Sequence, residues 1–319
     1  MTIGSMLSGD VCRSAPWSTT EEGGEIVDKD IVIIATTLAS AAVLLLLSFG
    51  MSLVFGAARI INVAQATFFL YAAYFMAQFG ANATPIRFVA VFVMIAAVLF
   101  VMASLLERFL VRRVYGQNHL FQLLLTLGVM YIMDDIALTI WGGSDYTGQV
   151  PSFLTGSLQI GRSSLSYYII FIIAVAIAII GVLAYMLKYT KIGWKLTAIV
   201  DHRENLELLG YESRRIATVI FGVSAVLAAI GGVLIVPLQA AGPGVDSTML
   251  IQSFIVVVIG GIGSFVGVGI GALAIATLET LLSIVAPNLV GLAPYLAMVG
   301  VLVLRPNGIM NVVPDAREF

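Results

Sequence analysis

Long apolar runs separated by short polar segments divide the chain from about residue 31 onward. About 20 apolar residues cross the hydrocarbon core of a bilayer as a helix, so each run predicts a membrane span. The run at 249–262 is the shortest and ends in glycines, so it is either a full span or half of a broken one. The predicted spans are 31–55, 60–79, 86–106, 119–141, 166–187, 216–238, 249–262, 264–286 and 289–304.

Composition agrees with this pattern. The 319 residues are 60% hydrophobic and 11% charged, against roughly 25% charged residues in a soluble domain. A soluble fold of this size could not bury so much apolar surface, so its solvent must be lipid. The predicted fold class is therefore all-α, a polytopic membrane helix bundle with about eight or nine membrane segments. The single cysteine, Cys12, excludes an internal disulfide framework and a cysteine-based metal cluster, and no metal site is expected.

Both ends of the chain differ from its middle. Residues 1–30 are acidic, with few large apolar side chains. They lack the basic and apolar regions of a cleavable signal peptide, so they predict a solvated N-terminal tail. The predicted membrane domain covers 31–310, and 311–319 form a short C-terminal tail.

The distribution of Lys and Arg predicts the orientation. If the N-terminus is outside and every segment crosses, twelve of the sixteen basic residues lie on the cytoplasmic side and four outside. This bias favours an outer N-terminus and a cytoplasmic C-terminus. If 249–262 does not cross by itself, the C-terminal arm reverses, but only Arg305 and Arg317 change sides.

A polar segment at 188–215 interrupts the apolar sequence and holds six of the sixteen basic residues. It would lie on the cytoplasmic side, where a membrane protein can contact a soluble partner. Glu204, Leu208 and Tyr211 follow the spacing i, i+4, i+7, so one helix face would combine a charge with apolar anchors.

Polar side chains within the predicted spans are candidates for a solute path. Such groups are costly in lipid and usually face the bundle interior, where they either bond neighbouring helices together or line a path. Adjacent helical residues point about 100° apart, so the two neighbouring aspartates of the fourth span cannot both face one partner. Gln122 and Gln252 are further polar residues in spans. The path candidates are Asn62, Gln65, Asp134, Asp135 and, as the leading one, Glu279.

Glycines in the C-terminal third predict close helix packing or a hinge. Gly263, Gly267 and Gly271 repeat at i, i+4 and i+8, which would give a smooth face for another helix. Gly260 and Gly261 would loosen the backbone beside that face.

Motifs of soluble enzymes are missing from the sequence. There is no GxxxxGK[ST] phosphate loop and no HExxH motif. The sequence GIGSFVG at 261–267 resembles a glycine-rich nucleotide loop or a nucleophile elbow, but no strand pattern flanks it. The chain is therefore not expected to be an enzyme or to hydrolyse ATP by itself.

Several motifs together resemble one family of transport proteins. The segment GWKLTAIVDHRENLELLG at 193–210 is similar to the cytoplasmic loop of permeases from high-affinity branched-chain amino-acid (LIV-type) ABC importers. The resemblance extends from about residue 38 to 310, and its motifs occur in the family's order. The other similar segments are 49–64, 123–132, 221–234, 256–271 and LRPNG at 304–308.

The resemblance implies a permease subunit of an ATP-driven importer in a prokaryotic inner membrane, moving branched-chain amino acids or similar small polar solutes. It implies a homologous second permease, two cytoplasmic ATPase subunits, an extracytoplasmic binding protein and no nucleic acid. No cofactor is expected in this chain, since the ATPases would bind ATP and magnesium. The residues that the resemblance assigns to ATPase coupling are Gly193, Ala198, Asp201, Glu204, Leu208 and Gly210.

Two departures from the family pattern leave the cargo open. The family's Asn-x-Ala-His-Gly motif in the second span is here NVAQA at 62–66, and the fourth span has Asp134 and Asp135 in a region usually rich in amides. An importer for urea or short amides is one alternative. An ion-coupled secondary transporter is another, because these carboxylates could bind protons or cations. An intramembrane enzyme is disfavoured because the chain has no paired catalytic motifs.

Overall fold

The computed structural model describes residues 19–58, 60–80, 84–160, 163–190, 213–261, 263–305 and 308–310. Nine α-helices occur within these residues, and each corresponds to one predicted span. The helices are α1 Thr19–Ala58, α2 Gln65–Phe79, α3 Pro85–Phe109, α4 His119–Trp141, α5 Tyr167–Tyr189, α6 Ser213–Ile235, α7 Val245–Gly260, α8 Phe265–Val285 and α9 Ala293–Leu304.

Short elements complete the described structure. Strands β1 (Ser157–Ile160) and β2 (Ser163–Ser166) form an antiparallel hairpin between α4 and α5. Single 3₁₀ turns lie at Val111–Val114, after α3, at Ser152–Leu154, and at Pro287–Leu292, before α9.

The prediction of a polytopic helix bundle is confirmed. Within the described residues, seven helical segments are long and apolar enough to cross a bilayer, and the last of them combines the 3₁₀ turn Pro287–Leu292 with α9. The two exceptions are α2, with 15 residues, and α7, with 16, which span only about 22–24 Å at 1.5 Å per residue. One boundary was wrong, because α2 begins at Gln65 rather than 60 and residues 60–64 are not helical. The predicted first span, 31–55, agrees with the apolar segment Asp30–Gly56, and the helix that contains it begins at Thr19.

Helix α6 forms the centre of the bundle and packs against α1, α2 and α3. Its buried face consists largely of small side chains, including Ala225, Ala228 and Ala229, which let neighbouring helices approach closely. Helix α8 packs on α1 and α7, whereas α4 contacts mainly α2 and the 3₁₀ turn after α3. Within the described part of the chain, one face of α4 therefore has no helix packed closely against it.

Helix α7 runs from one end of the bundle to the other. Just before it, Ala241 pairs with Tyr146 in the segment that follows α4. At its other end, the carbonyl oxygens of Ile259 and Gly260 accept hydrogen bonds from the backbone N–H groups of Ile309 and Met310, after α9. The structure thus favours a separate crossing at 249–262 over a dip.

Two glycines of α8 lie against the end of α7. A Cβ atom on Gly267 would overlap the carbonyl oxygen of Gly260, and one on Gly271 would lie 2.8 Å from the carbonyl oxygen of Val256. The prediction for Gly263 was wrong, because this residue precedes α8 in a turn with φ of 82°. Gly261 has φ of 93° in the same turn, so both residues adopt a backbone conformation that favours glycine.

We predict that Gly267→Ala destabilises the protein, because the added methyl group meets backbone that cannot move aside. Overpacking of this kind costs about 1–3 kcal/mol. Gly269→Ala is the matched control on the same helix, since its Cβ would lie 3.6 Å from Leu45 Cδ1, an ordinary contact. Denaturant titration in micelles measures both variants. Equal stabilities of the two variants would show that the α7–α8 contact is looser than described.

Candidate functional site

The path candidate Gln65 bonds two helices together. Its Nε2 donates to the carbonyl oxygen of Ser224 at 2.7 Å, and the Ser224 hydroxyl donates to Gln65 Oε1 at 3.1 Å. Both residues are almost completely buried. Because each residue satisfies the other, this pair fixes α2 on α6 and presents no polar group to a solute in this conformation.

Asn62 lies in the non-helical segment before α2 and is also buried. It lines a cavity of about 10 Å³ together with Phe68, Thr126, Phe221 and other residues. Such a volume holds at most about one water molecule. The cavity is therefore closed to an amino acid in this conformation.

Glu279, the leading path candidate, has a partner in α7. Gln252 Nε2 donates to Glu279 Oε1 at 2.7 Å, and both residues are only partly buried. At the next residue, about 100° around α8, the hydroxyl of Thr280 accepts a hydrogen bond from that of Thr37 on α1 at 2.9 Å. The polar face of α8 thus contributes to helix packing on two sides.

The two neighbouring aspartates of α4 point in different directions. Asp135 is exposed, whereas Asp134 is half-buried and its Oδ1 is buried without a hydrogen-bond partner among the described residues. Asp135 precedes the last residue of α4, Trp141, by six residues, or about 9 Å along the helix axis. A carboxylate at that depth is costly in hydrocarbon. We therefore expect water or another protein chain beside this face of α4.

Asp246, in the first turn of α7, was not identified from the sequence. It is 1% exposed, and its Oδ2 has no hydrogen-bond partner among the described residues. Its carboxyl group lies close enough to that of Asp134 for the two to interact. Two acidic groups from α4 and α7 thus meet inside the bundle. The only sequence signal was an acidic residue in the first helical turn after Gly-Pro-Gly at 242–244.

A cluster of aromatic side chains lies next to this acidic pair. Tyr74 stacks on Trp141 with ring centroids 4.9 Å apart, and it lies edge-on to Tyr146 at 5.9 Å. The Tyr71 hydroxyl donates to the carbonyl oxygen of Met133 at 2.8 Å. The Tyr74 side chain lies near the carboxyl groups of Asp134 and Asp246. These aromatic rings hold α2, α4 and the segment after α4 in fixed positions around the carboxyl groups.

The residues assigned to ATPase coupling lie outside the described residues. Gly193, Ala198, Asp201, Glu204, Leu208 and Gly210 all fall within 191–212. The structure describes the chain again from Ser213, at the start of α6.

An ionic cluster that the sequence did not reveal holds the first turns of α6. The Glu107 side chain is fully buried and accepts hydrogen bonds from Arg112, Tyr115 and Thr218. The shortest of these joins Thr218 Oγ1 and Glu107 Oε2 at 2.6 Å. Arg112 also donates to the carbonyl oxygen of Arg214 at 3.4 Å. This cluster ties α3 to the part of α6 that directly follows 191–212.

Comparisons with known proteins agree with the architecture. The sequence profile of a family described as "Branched-chain amino acid transport system / permease component" matches residues 33–304. The permease protein BraD of Pseudomonas aeruginosa, from a high-affinity branched-chain amino acid transport system, is 24% identical over 280 residues, covering 83% of this chain and 91% of BraD. The LivH permease proteins of Salmonella typhimurium and Escherichia coli are each 23% identical over 83% of this chain and 90% of their own. No solved structure matches the chain.

We predict that Glu107→Ala strongly destabilises the protein, because it leaves the Arg112 guanidinium without its buried partner. Breaking a buried ion pair from one side costs about 3–5 kcal/mol. The adjacent Arg108 is exposed, so Arg108→Ala is the control and should change stability by less than about 0.5 kcal/mol. Thermal unfolding in detergent compares the two variants. If both unfold like the unmodified protein, the cluster contributes no stability.

Proposed function

Because the chain belongs to the family of permease components of branched-chain amino acid transport systems, we propose that it forms the path by which an ATP-driven importer moves branched-chain amino acids or similar small polar solutes. The observation that carries this proposal is the family match over 33–304, together with relatives matched over nine-tenths of their length. The chain is a multi-pass transport permease subunit and not an enzyme.

The proposed path runs along the face of α4 that carries the exposed Asp135 and has no close partner helix among the described residues, here called the open face. This helix packs against few others, yet it carries two carboxylates within a membrane segment. A homologous second permease facing α4 would enclose a polar path and keep Asp135 away from lipid. The branched-chain specificity is taken from the relatives, and an importer of urea or short amides is the alternative.

The proposed complex contains soluble partners on both sides of the membrane. Association with ATPase and binding-protein components follows from membership in an importer permease family. We assign two ATPase subunits to the cytoplasmic side, where they bind ATP and magnesium and contact 188–215. The binding protein delivers solute to the opposite side, next to the β1–β2 hairpin.

Reconstitution tests this function directly. The two permeases and two ATPases are placed in proteoliposomes with binding protein outside and ATP inside, and uptake of labelled leucine, valine and urea is measured. The proposal predicts uptake of the amino acids that depends on ATP. Uptake driven by an ion gradient without ATPase subunits would identify a secondary transporter, and uptake of urea alone would favour the alternative cargo.

Coupling between the permease and the ATPase subunits can be tested by reversing a charge. Glu204→Lys reverses a charge on the proposed ATPase contact, so it should abolish solute-stimulated ATP hydrolysis while the permease remains in the membrane. Gln117→Lys is the control, since Gln117 is exposed in a loop that should lie on the same side. Normal uptake and ATP hydrolysis in Glu204→Lys would show that this segment is not the coupling site.

The orientation of the chain in the membrane can be tested by cysteine labelling, after Cys12→Ser removes the native thiol. Ser157 and Gln117 are both exposed, in the β-hairpin and in the loop before α4. With an outer N-terminus, Ser157→Cys in intact cells reacts with an impermeant maleimide, whereas Gln117→Cys reacts only after lysis. The opposite labelling pattern would reverse the proposed orientation.

A further inference from the structure

We propose that Asp134 and Asp246 form a binding site for the ammonium group of the transported solute. This inference rests on the proposed transport function and extends it by naming the chemical group that this subunit recognises. The site lies between α4 and α7, toward the end of the bundle that carries the β-hairpin.

The first support is that the carboxyl group of Asp246 is buried and one of its oxygens lacks a hydrogen-bond donor. A carboxyl group that is 1% exposed requires hydrogen bonds or a cation, because an uncompensated buried charge is very costly. Its Oδ2 has no donor among the described residues. The start of α7 favours negative charge near Asp246, through the positive end of the helix dipole, but it does not supply a donor to Oδ2.

The second support is the contact between the two carboxyl groups. Asp134 also has a buried oxygen, Oδ1, without a donor among the described residues. Two carboxyl groups so close together repel each other unless a cation or a proton lies between them. The Arg112–Glu107 ion pair lies near the end of α3 and the start of α6, at the opposite end of the bundle. Its guanidinium group is therefore not available to Asp134 and Asp246.

The third support is the aromatic surround. Tyr71 and Tyr74 of α2 pack against Trp141 of α4, and Tyr74 lies near both carboxyl groups. Aromatic rings attract cations and shield them from water, which strengthens a charge-assisted hydrogen bond. The same rings give the apolar side chain of a solute a favourable surface.

These features select an ammonium over other groups. A primary ammonium has three donors, enough to bond both carboxyl groups at once. The carboxylate of an amino acid would be repelled here, so only its ammonium end can approach. Access is available because Asp134 is only half-buried and lies next to the exposed Asp135, on the face assigned to the path.

Uptake by the reconstituted complex tests the proposal. Loss of one charge-assisted hydrogen bond lowers transition-state binding by roughly ten- to a hundredfold. Asp134→Asn and Asp246→Asn keep the side-chain shape and should each reduce leucine uptake by that factor, with normal assembly and basal ATP hydrolysis. Asp30→Asn, the same change at an exposed carboxyl group on α1, is the control and should stay within about twofold of the unmodified protein. Uptake within twofold in both Asp134→Asn and Asp246→Asn would overturn the proposal.

Chemical protection of the unmodified complex distinguishes binding from packing. A hydrophobic carbodiimide modifies carboxyl groups in apolar surroundings, and peptide mapping reports modification at Asp134 and Asp246. Isoamylamine, which has an ammonium and no carboxylate, should slow total modification, counted as the acylurea plus any amide that the amine forms with the activated carboxyl group. The uncharged 3-methylbutan-1-ol, of the same size, should not slow it. If neither compound slows it, or both do equally, or neither carboxyl group is modified under any condition, the pair is not an ammonium site.

The two hypotheses can fail separately. Protection by isoamylamine in a complex that takes up no leucine would keep the ammonium site and refute the amino-acid cargo. Leucine uptake that is ATP-dependent and unaffected by both asparagine variants would keep the function and refute the site.

Discussion

A bilayer core offers no hydrogen-bond partners, so every polar group within a span must be satisfied by protein or by water. This constraint separates the polar side chains of this chain into two kinds. Gln65 with Ser224, Glu279 with Gln252, and Glu107 with Arg112 are satisfied inside the bundle and hold helices together. The carboxyl groups of α4 and Asp246 lack donors within the described residues or are exposed, and we propose that solute and water pass beside them.

The fold was largely predictable because apolar runs about as long as the bilayer is thick leave few alternatives. All nine predicted spans are helices, and the long ones match closely. The errors lie where length and hydropathy carry little information. The apolar residues 60–64 precede a short helix without belonging to it, and Gly263 follows a helical spacing in sequence yet lies in a turn.

The candidate site was less predictable because it depends on which helices meet. The sequence showed that Asp134 and Asp135 point about 100° apart, but not which of them is inward. Asp246 lay just outside the predicted span at 249–262, so nothing in its local sequence indicated that it would be buried against α4. Glu107 likewise lay one residue beyond a predicted span, and its partners Arg112 and Thr218 come from two other segments.

We propose that the open face of α4 borders water rather than lipid. Thiol accessibility in the assembled transporter measures this directly. Asp135 on α4 and Val98 on α3 are both exposed within membrane segments. In a protein with Cys12→Ser, we predict that Asp135→Cys reacts with a small charged methanethiosulfonate, whereas Val98→Cys, facing lipid, does not. If Asp135→Cys is as unreactive as Val98→Cys in the active complex, α4 does not line a path and the proposed path is wrong.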